Sequence, residues 1–332
     1  MTDSNTEKIR GLGLCSGGLD SILAALVLKQ QGIEVEWVTF ETPFFSADKS
    51  RKASEMTGIP LTVQSITETY LPMLRNPRCG YGQHMNPCLD CHALMFRLAG
   101  EMMQTTGFDF LFSGEVLGQR PMSQTRPSLR YVEKNSLFDG YIVRPLSARR
   151  LDPTIPEKQG LIDREQLLDI TGRSRKRQIQ LARDFGLKNY PAPGGGCLLT
   201  DKGYSTRLKD LFAHQATCME RELELLKYGR HFRLSESTKI VVGRTKQDNE
   251  NILTCHDPGE DTIIKVEKFP GPTVLMPHAQ GRNIITLAGA ICAGYSKAPA
   301  LTQVNVLIET PRGKSRITVI GLAPSDIRHL MI

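Results

Sequence analysis

The sequence predicts an α/β fold. It consists of a doubly wound parallel sheet over residues 8–150, a basic and mostly helical extension over 151–233, and a small α+β domain over 234–332. Three observations predict it. Strand-like and helix-like patterns alternate along the first half, as successive βαβ units require. Positive charge is concentrated in the middle of the chain. After about Leu234 the texture changes to short apolar runs separated by polar turns, with one longer helix.

The elements follow in order. IRGLGLC (9–15) is a short apolar run ending in Ser-Gly-Gly, and LDSILAALVLKQQG (19–32) is a helix closed by Gly32. IEVEWVTF (33–40) is a strand, SADKSRKASEMTG (46–58) a helix closed by Gly58, and IPLTVQSI (59–66) a third strand. CLDCHALMFRLAGEMMQTTG (88–107) reads as a helix with Leu94, Met95, Leu98 and Met102 on its apolar face, and FDFLFSG (108–114) as the next strand. In such sheets ligands bind beyond the carboxyl ends of the strands. The extension is interrupted by NYPAPGGGCLLTDKGYS, whose proline and glycine density forbids regular structure. In the last domain STKIVVGRT, ENILTC, DTIIKV, PTVLM, VNVLIET and RITVIG read as strands and NIITLAGAICAGYSK as a helix. There is no internal repeat and no low-complexity segment.

Composition narrows the function classes. Of 332 residues, 40% are hydrophobic and 23% charged, which is ordinary for a globular chain and excludes a disordered one. No run approaches about 18 apolar residues, so no membrane span is expected. The polar start MTDSNTEKIRGLGLC lacks a signal-peptide core, so the chain is expected in the cytoplasm. Eight cysteines in such a chain do not read as a disulfide framework. Net charge is −2 over 1–143, +7 over 144–233 and +2 over 234–332. Arg173, Arg175, Lys176, Arg177 and Arg183 lead the excess, which suits a phosphate-rich partner; a solvated helix face is the plain alternative.

The first chemical signal is Ser16-Gly17-Gly18-Leu19-Asp20-Ser21, directly after a strand and opening a helix. Glycines let the backbone approach a ligand closely, and free N–H groups with the helix dipole favour an anion such as pyrophosphate. The Ser16 and Ser21 hydroxyls can add hydrogen bonds. No Lys follows the glycines, so this is not a Walker-type loop.

The second signal is Asn86-Pro87-Cys88-Leu89-Asp90-Cys91, with Gly194-Gly195-Gly196-Cys197 far downstream. A Cys-x-x-Cys pair places two thiolates near one metal, and a third can arrive from a distant loop. A Zn2+ site with His92 as fourth ligand and a redox pair remain open. Cys15, Cys79, Cys218, Cys255 and Cys292 are read as structural.

SGGLDS after a strand resembles the PP-loop of the ATP pyrophosphatases, which split ATP into AMP and pyrophosphate and place AMP on a carbonyl oxygen. The resemblance implies that Ser16, Gly17, Gly18, Asp20 and Ser21 hold the ATP phosphates, with Mg2+. It also implies that Phe40 neighbours the adenine and that Ser113-Gly114-Glu115, with Gln119 and Arg120 beyond, forms a second nucleotide turn. With Asn-Pro-x-x-x-Cys and the later glycine–cysteine loop, the chain resembles the tRNA thiolases of the MnmA, ThiI and TtuA type. The two acting cysteines of the MnmA pattern match Cys91 and Cys197, while Cys88 replaces an acidic residue of that pattern. Three cysteines resemble instead the iron–sulfur thiolases, which implies a 4Fe-4S cluster on Cys88, Cys91 and Cys197 with one iron open to sulfide.

Val242-Gly243-Arg244, Asp248-Asn249-Glu250, FPGPTVLM, AGAICAGYSKA and VNVLIET, in that order, resemble the NFACT-R module, which is linked to RNA binding. Neither the THUMP nor the rhodanese domain that ThiI proteins carry is recognisable. Together the resemblances imply ATP-dependent tRNA uridine thiolation, with Asp20, Cys91 and Cys197 catalytic and 4-thiouridine at tRNA position 8 the first expectation. The alternatives are wobble 2-thiouridine made by a two-cysteine persulfide route, or a non-catalytic RNA-binding quality-control factor. Expected partners are tRNA and a sulfide or persulfide donor, and a homodimer is allowed.

Overall fold

The computed structural model describes residues 8–190, 196–278 and 281–332. Packing divides the chain into two units, Met1–Thr200 and Asp201–Ile332.

The first unit is a five-stranded parallel sheet with helices between its strands. Its elements are β1 (Arg10–Leu14), α1 (Leu19–Gln30), β2 (Glu34–Glu41), α2 (Asp48–Thr57), β3 (Leu61–Ser65), α3 (Thr67–Arg75), α4 (Cys88–Thr106), β4 (Phe110–Ser113), α5 (Arg126–Asn135), β5 (Ile142–Val143), α6 (Ile155–Lys158) and α7 (Lys176–Asp184). Strand order is β3-β2-β1-β4-β5, so β1 is central and the winding reverses at it. That reversal opens a crevice at the carboxyl ends of β1 and β4, where sheets of this kind bind ligands. Eight of the twelve residues of α1 are buried, because the helix is wedged into the core with Trp37, Phe110 and Phe112.

Several elements differ from the sequence reading. The helices α3 and α5 and the short strand β5 carried no clear periodicity. In α4 the buried face is Ala93, Phe96, Ala99, Gly100 and Met103 beside Leu94, while Met95, Leu98 and Met102 are only half-buried. The face is set by a neighbour: the Phe138 ring lies on Gly100, where a Cβ would come within 2.1 Å of it. Between 151 and 175 the only α-helix is the four-residue α6, since Pro153, Pro156, Gly160 and Gly172 interrupt the chain.

The second unit holds α8 (Lys202–His214), α9 (Glu220–Leu225), β6 (Arg230–Ser235), β7 (Thr238–Val242), α10 (Lys246–Thr254), β8 (Thr262–Val266), β9 (Val274–Met276), α11 (Arg282–Gly294), β10 (Gln303–Thr310) and β11 (Gly313–Ile320). Six antiparallel strands lie in the order β11-β10-β8-β9-β7-β6. On one face Ile240, Val242, Ile264, Val274 and Met276 meet Ala288, Ile291 and Cys292 of α11. On the other, Val241, Ile263 and Leu275 meet Ile252 of α10. ENILTC, read as a strand, is therefore the end of α10 and its C-cap; the helix is capped at its start by Thr245, whose hydroxyl accepts from the Asp248 N–H at 3.0 Å. The expected break at 233 lies inside this unit: Arg221 of α9 donates to Asp261 Oδ2, beyond that point, at 2.7 Å. Among the described residues no helix is long and apolar enough to cross a membrane.

Candidate nucleotide and thiol site

The loop after β1 is fixed from both sides. The Cys15 N–H donates to Val38 O at 3.0 Å, and Cys15 O accepts from Thr39 Oγ1 at 2.6 Å and Ser50 Oγ at 2.9 Å. Gly17 has φ +67°, and a Cβ there would lie 2.2 Å from the Lys49 carbonyl carbon, so the loop admits only glycine at this point. No side chain caps α1 at Gly18, which leaves its first-turn N–H groups available to an anion. Ser16 is exposed at the mouth. Ser21 is buried and its hydroxyl donates to Gly18 O at 2.8 Å, so it serves the turn itself. Gly114 lies against the same turn: a Cβ on it would be 2.4 Å from the Asp20 carbonyl carbon and the Ser21 nitrogen. The end of β4 thus reaches α1 only because residue 114 has no side chain. Phe40 is buried within β2, and Arg120 is exposed.

Asp20 is the hub of the loop. Its Oδ2 accepts from Gln119 Nε2 at 2.7 Å and from Arg175 Nη2 at 3.0 Å. Sequence reasoning placed Arg175 in a basic cluster suited to a phosphate-rich partner or to a solvated helix face; the structure turns it into the crevice.

The three sequence-predicted cysteines come together. Cys88 and Cys91 stand at the first turn of α4. Cys197 is brought to them by two clamps, Leu198 N–H to Phe44 O at 2.9 Å and Met85 N–H to Leu199 O at 3.2 Å. Gly194 and Gly195 lie outside the described residues. Burial pushes the Cys91 thiol well up, helped by the neighbouring Cys197 and Cys88. Cys197 is pushed up to about 11 by burial, with Cys88 adding to it. Both thiols are therefore protonated near neutral pH unless an electrophile or metal takes the proton's place. The Asn86 side-chain amide donates to Cys88 Sγ at 3.3 Å. Tyr70, fully buried, faces the same three cysteines; its hydroxyl has no partner at ordinary hydrogen-bond length, with the Cys91 thiol beyond it. Such an orphan phenol is costly unless something else accepts from it. The thiols do not converge on a single ion: among the described residues no three His, Cys, Asp or Glu side chains form a group that could hold one.

His92 is committed elsewhere. Its Nδ1 lies 2.9 Å from Glu115 Oε1, and Glu115 Oε2 accepts from Arg144 Nε at 3.0 Å. Arg144 also bonds Glu133 and is only 2% exposed. Burial alone would raise the Glu115 carboxyl, but the Arg144 charge and the His92 hydrogen bond outweigh it and hold it at about 2. Since this pKa is depressed, the contribution to stability is full above the ordinary value near 4.5 and is lost as pH falls toward about 2. Arg144→Met should strand the buried Glu115 carboxylate and unpair the half-buried Glu133, and cost about 3–5 kcal/mol. Urea unfolding at pH 7 measures that loss. Repeated at pH 3, where Glu115 begins to protonate, it should show a smaller difference between variant and wild type.

Asp90 ties down the preceding loop, accepting from the Cys79 N–H at 2.8 Å and the Tyr131 hydroxyl at 2.8 Å. Direct contacts then run from the thiols to the loop: His92, next to Cys91, meets Glu115; Glu115 follows Gly114; Gly114 touches Asp20 and Ser21. Sequence reasoning missed Tyr70, Arg144 and Gln178, and named Arg175 only as one cation of the basic run. Only the buried charge in RPLS, an arginine in an otherwise apolar turn, offered any signal.

Comparisons with known proteins give one family match within each unit. Residues 7–152 match the family described as thiamine biosynthesis protein (ThiI), and residues 229–331 match the NFACT protein RNA binding domain. A protein named "tRNA-specific 2-thiouridylase MnmA" from Desulforamulus reducens is 23% identical over 228 residues, 60% of this chain and 58% of its own length. One named "Probable tRNA sulfurtransferase" from Caldanaerobacter subterraneus subsp. tengcongensis is 31% identical over 140 residues, 40% of this chain and 35% of its own. The chain thus spans little more than half the length of these MnmA-named curated relatives. A solved structure described as a 4-thiouridine synthetase–RNA complex with bound ATP is 22% identical, covers 54% of this chain and 51% of its own, and has a TM-score of 0.35.

Proposed function

We propose that this chain, which carries a ThiI-type domain and an NFACT-type RNA binding domain, is an ATP-dependent tRNA uridine thiolase. The observation that supports it most is the convergence of Cys88, Cys91 and Cys197 on Tyr70, joined by direct contacts to the Asp20 loop. The phosphates of ATP lie at the open start of α1, where Mg2+ would offset their charge. A uridine carbonyl oxygen attacks the α-phosphorus; the O–P bond forms and pyrophosphate leaves with the bonding electrons. Sulfur then adds to the activated carbon and AMP departs with its oxygen, leaving a thiocarbonyl. Positioning and charge neutralisation supply most of the acceleration. A 4Fe-4S cluster on Cys88, Cys91 and Cys197 would supply an iron site open to sulfide. Without it, Cys91 and Cys197 as the acting pair would give a persulfide route: one thiol takes the outer sulfur from a persulfide donor, and the other attacks its inner sulfur as the outer one passes to the activated carbon, which leaves a Cys91–Cys197 disulfide for a thiol reductant to reopen. The MnmA-named relatives favour that second reading, with 2-thiouridine as product.

Anaerobic purification tests the reading. Brown protein with about four irons per chain is the expected result, and stoichiometric zinc in active protein would overturn the cluster. Pyrophosphate should be released from ATP only with tRNA present. Mass spectrometry of the digested product then assigns 4-thiouridine, the first expectation, or 2-thiouridine. Affinity for tRNA should fall by about a thousandfold between about 50 and 200 mM salt, as phosphate contacts release counterions. Salt-independent binding would remove the electrostatic RNA interface.

A further inference from the structure

We propose that Arg175 and Gln178 complete the nucleotide site, and that Arg175 is a phosphate-binding residue that rests on Asp20 and swings to the phosphates of a nucleoside triphosphate. This rests on reading the Ser16–Ser21 loop as an ATP loop.

Four side chains meet beside the start of α1. Arg175 and Gln119 both donate to the same oxygen of Asp20, at 3.0 and 2.7 Å, and Gln178 Nε2 donates to Gln119 Oε1 at 2.8 Å. The network is half satisfied: Asp20 Oδ1, Arg175 Nε and Gln178 Oε1 are all buried without a partner. Two donors crowd one carboxylate oxygen while the other has none. A buried network that leaves a guanidinium N–H unused is an arrangement that a ligand completes. The chemistry missing is an acceptor for Arg175, which a phosphate oxygen supplies bidentately.

The backbone delivers Arg175 to this place. Thr171 bridges Leu117, and the Gly172 N–H donates to Leu117 O at 2.8 Å, so the segment before α7 is docked on the turn that follows Gly114. Below it, Ala182 of α7 is fully buried in the core that α1 shares. Gln178 is fully buried as well, which is unusual for an amide on a basic helix. The neighbouring Arg177 turns the other way and pairs with Asp169 at 2.7 Å. Of the basic run, Arg175 is the residue aimed at the loop.

Calorimetric titration of the full chain, without tRNA, tests the assignment with ATP, pyrophosphate and adenosine as probes. Arg175→Met keeps the aliphatic stem, and Arg175→Gln keeps a hydrogen bond to Asp20 without the charge. Both should bind ATP and pyrophosphate about 10- to 100-fold more weakly, the range for losing a charged hydrogen bond, and adenosine within about twofold of wild type. Arg175→Lys should recover part of the loss. Equal weakening for ATP and adenosine would reduce Arg175 to a structural strut. Intact ATP affinity, with weakened binding in a separate tRNA titration of the same variants, would overturn the assignment and give Arg175 to the RNA. Wild-type protein that binds ATP beside an unaffected Arg175→Met sinks this inference alone, whereas wild-type protein that binds no ATP sinks the loop reading with it.

Discussion

Cys91→Ala and Cys197→Ala should each abolish thiouridine formation, by at least about a thousandfold, as removal of a group that acts within a unit does. Pyrophosphate release from ATP should remain within about twofold of wild type. The two halves of the reaction separate because the thiols do not themselves bond the loop among the described residues; the path between them runs through His92, Glu115 and Gly114. Cysteine to alanine removes one sulfur and leaves the clamps at Phe44 and Met85, which are backbone bonds, in place. Nucleoside mass spectrometry and a pyrophosphate assay on the same sample give the answer. Cys88→Ala decides between the two sulfur routes: loss of colour and activity fits a cluster on three thiolates, and retained activity fits the persulfide pair. Cys255→Ala, buried in the second unit, should change neither.

Asp20→Ala should lower AMP formation by about a hundredfold or more, the scale on which preorganised groups act at a reacting phosphate. Asp20 lies in the first turn of α1 and orders both Gln119 and Arg175, so its loss frees the two donors that frame the crevice. Asp20→Asn is the companion variant: it keeps the shape and removes the charge. Binding of sulfur species or colour should persist in both, since the cysteines are held by other segments. A wild-type rate of pyrophosphate release from either variant would take the loop out of the reaction.

Much of this was legible in local sequence. The alternation of apolar runs with helical stripes gave β1 through β4 and the two largest helices between them, because a parallel sheet covered on both faces demands continuous apolar strands. SGGLDS gave the position of the loop, since a glycine with φ +67° and an uncapped helix start are local properties. Likewise Cys88 and Cys91, one helical turn apart on α4, were bound to share a face.

Tertiary structure alone decided the rest. That Cys197 joins Cys88 and Cys91 depends on bonds from Leu198 and Leu199 to Phe44 and Met85, more than a hundred residues away in sequence. Tyr70 sits in α3, an element with Pro72 inside it and no readable period, yet it carries the orphan hydroxyl at the thiols. The face of α4 was misread because Phe138 chose Gly100 to pack on, and a glycine gives no hydrophobic signal. ENILTC became helix because the Thr245 cap and the sheet face above it outweighed a β-like composition. Arg175 looked like one more cation in a basic run. Charge is a sum over residues and shows in composition; the direction in which a guanidinium points is set by the backbone it hangs from, and here Gly172 and Leu117 fixed that direction.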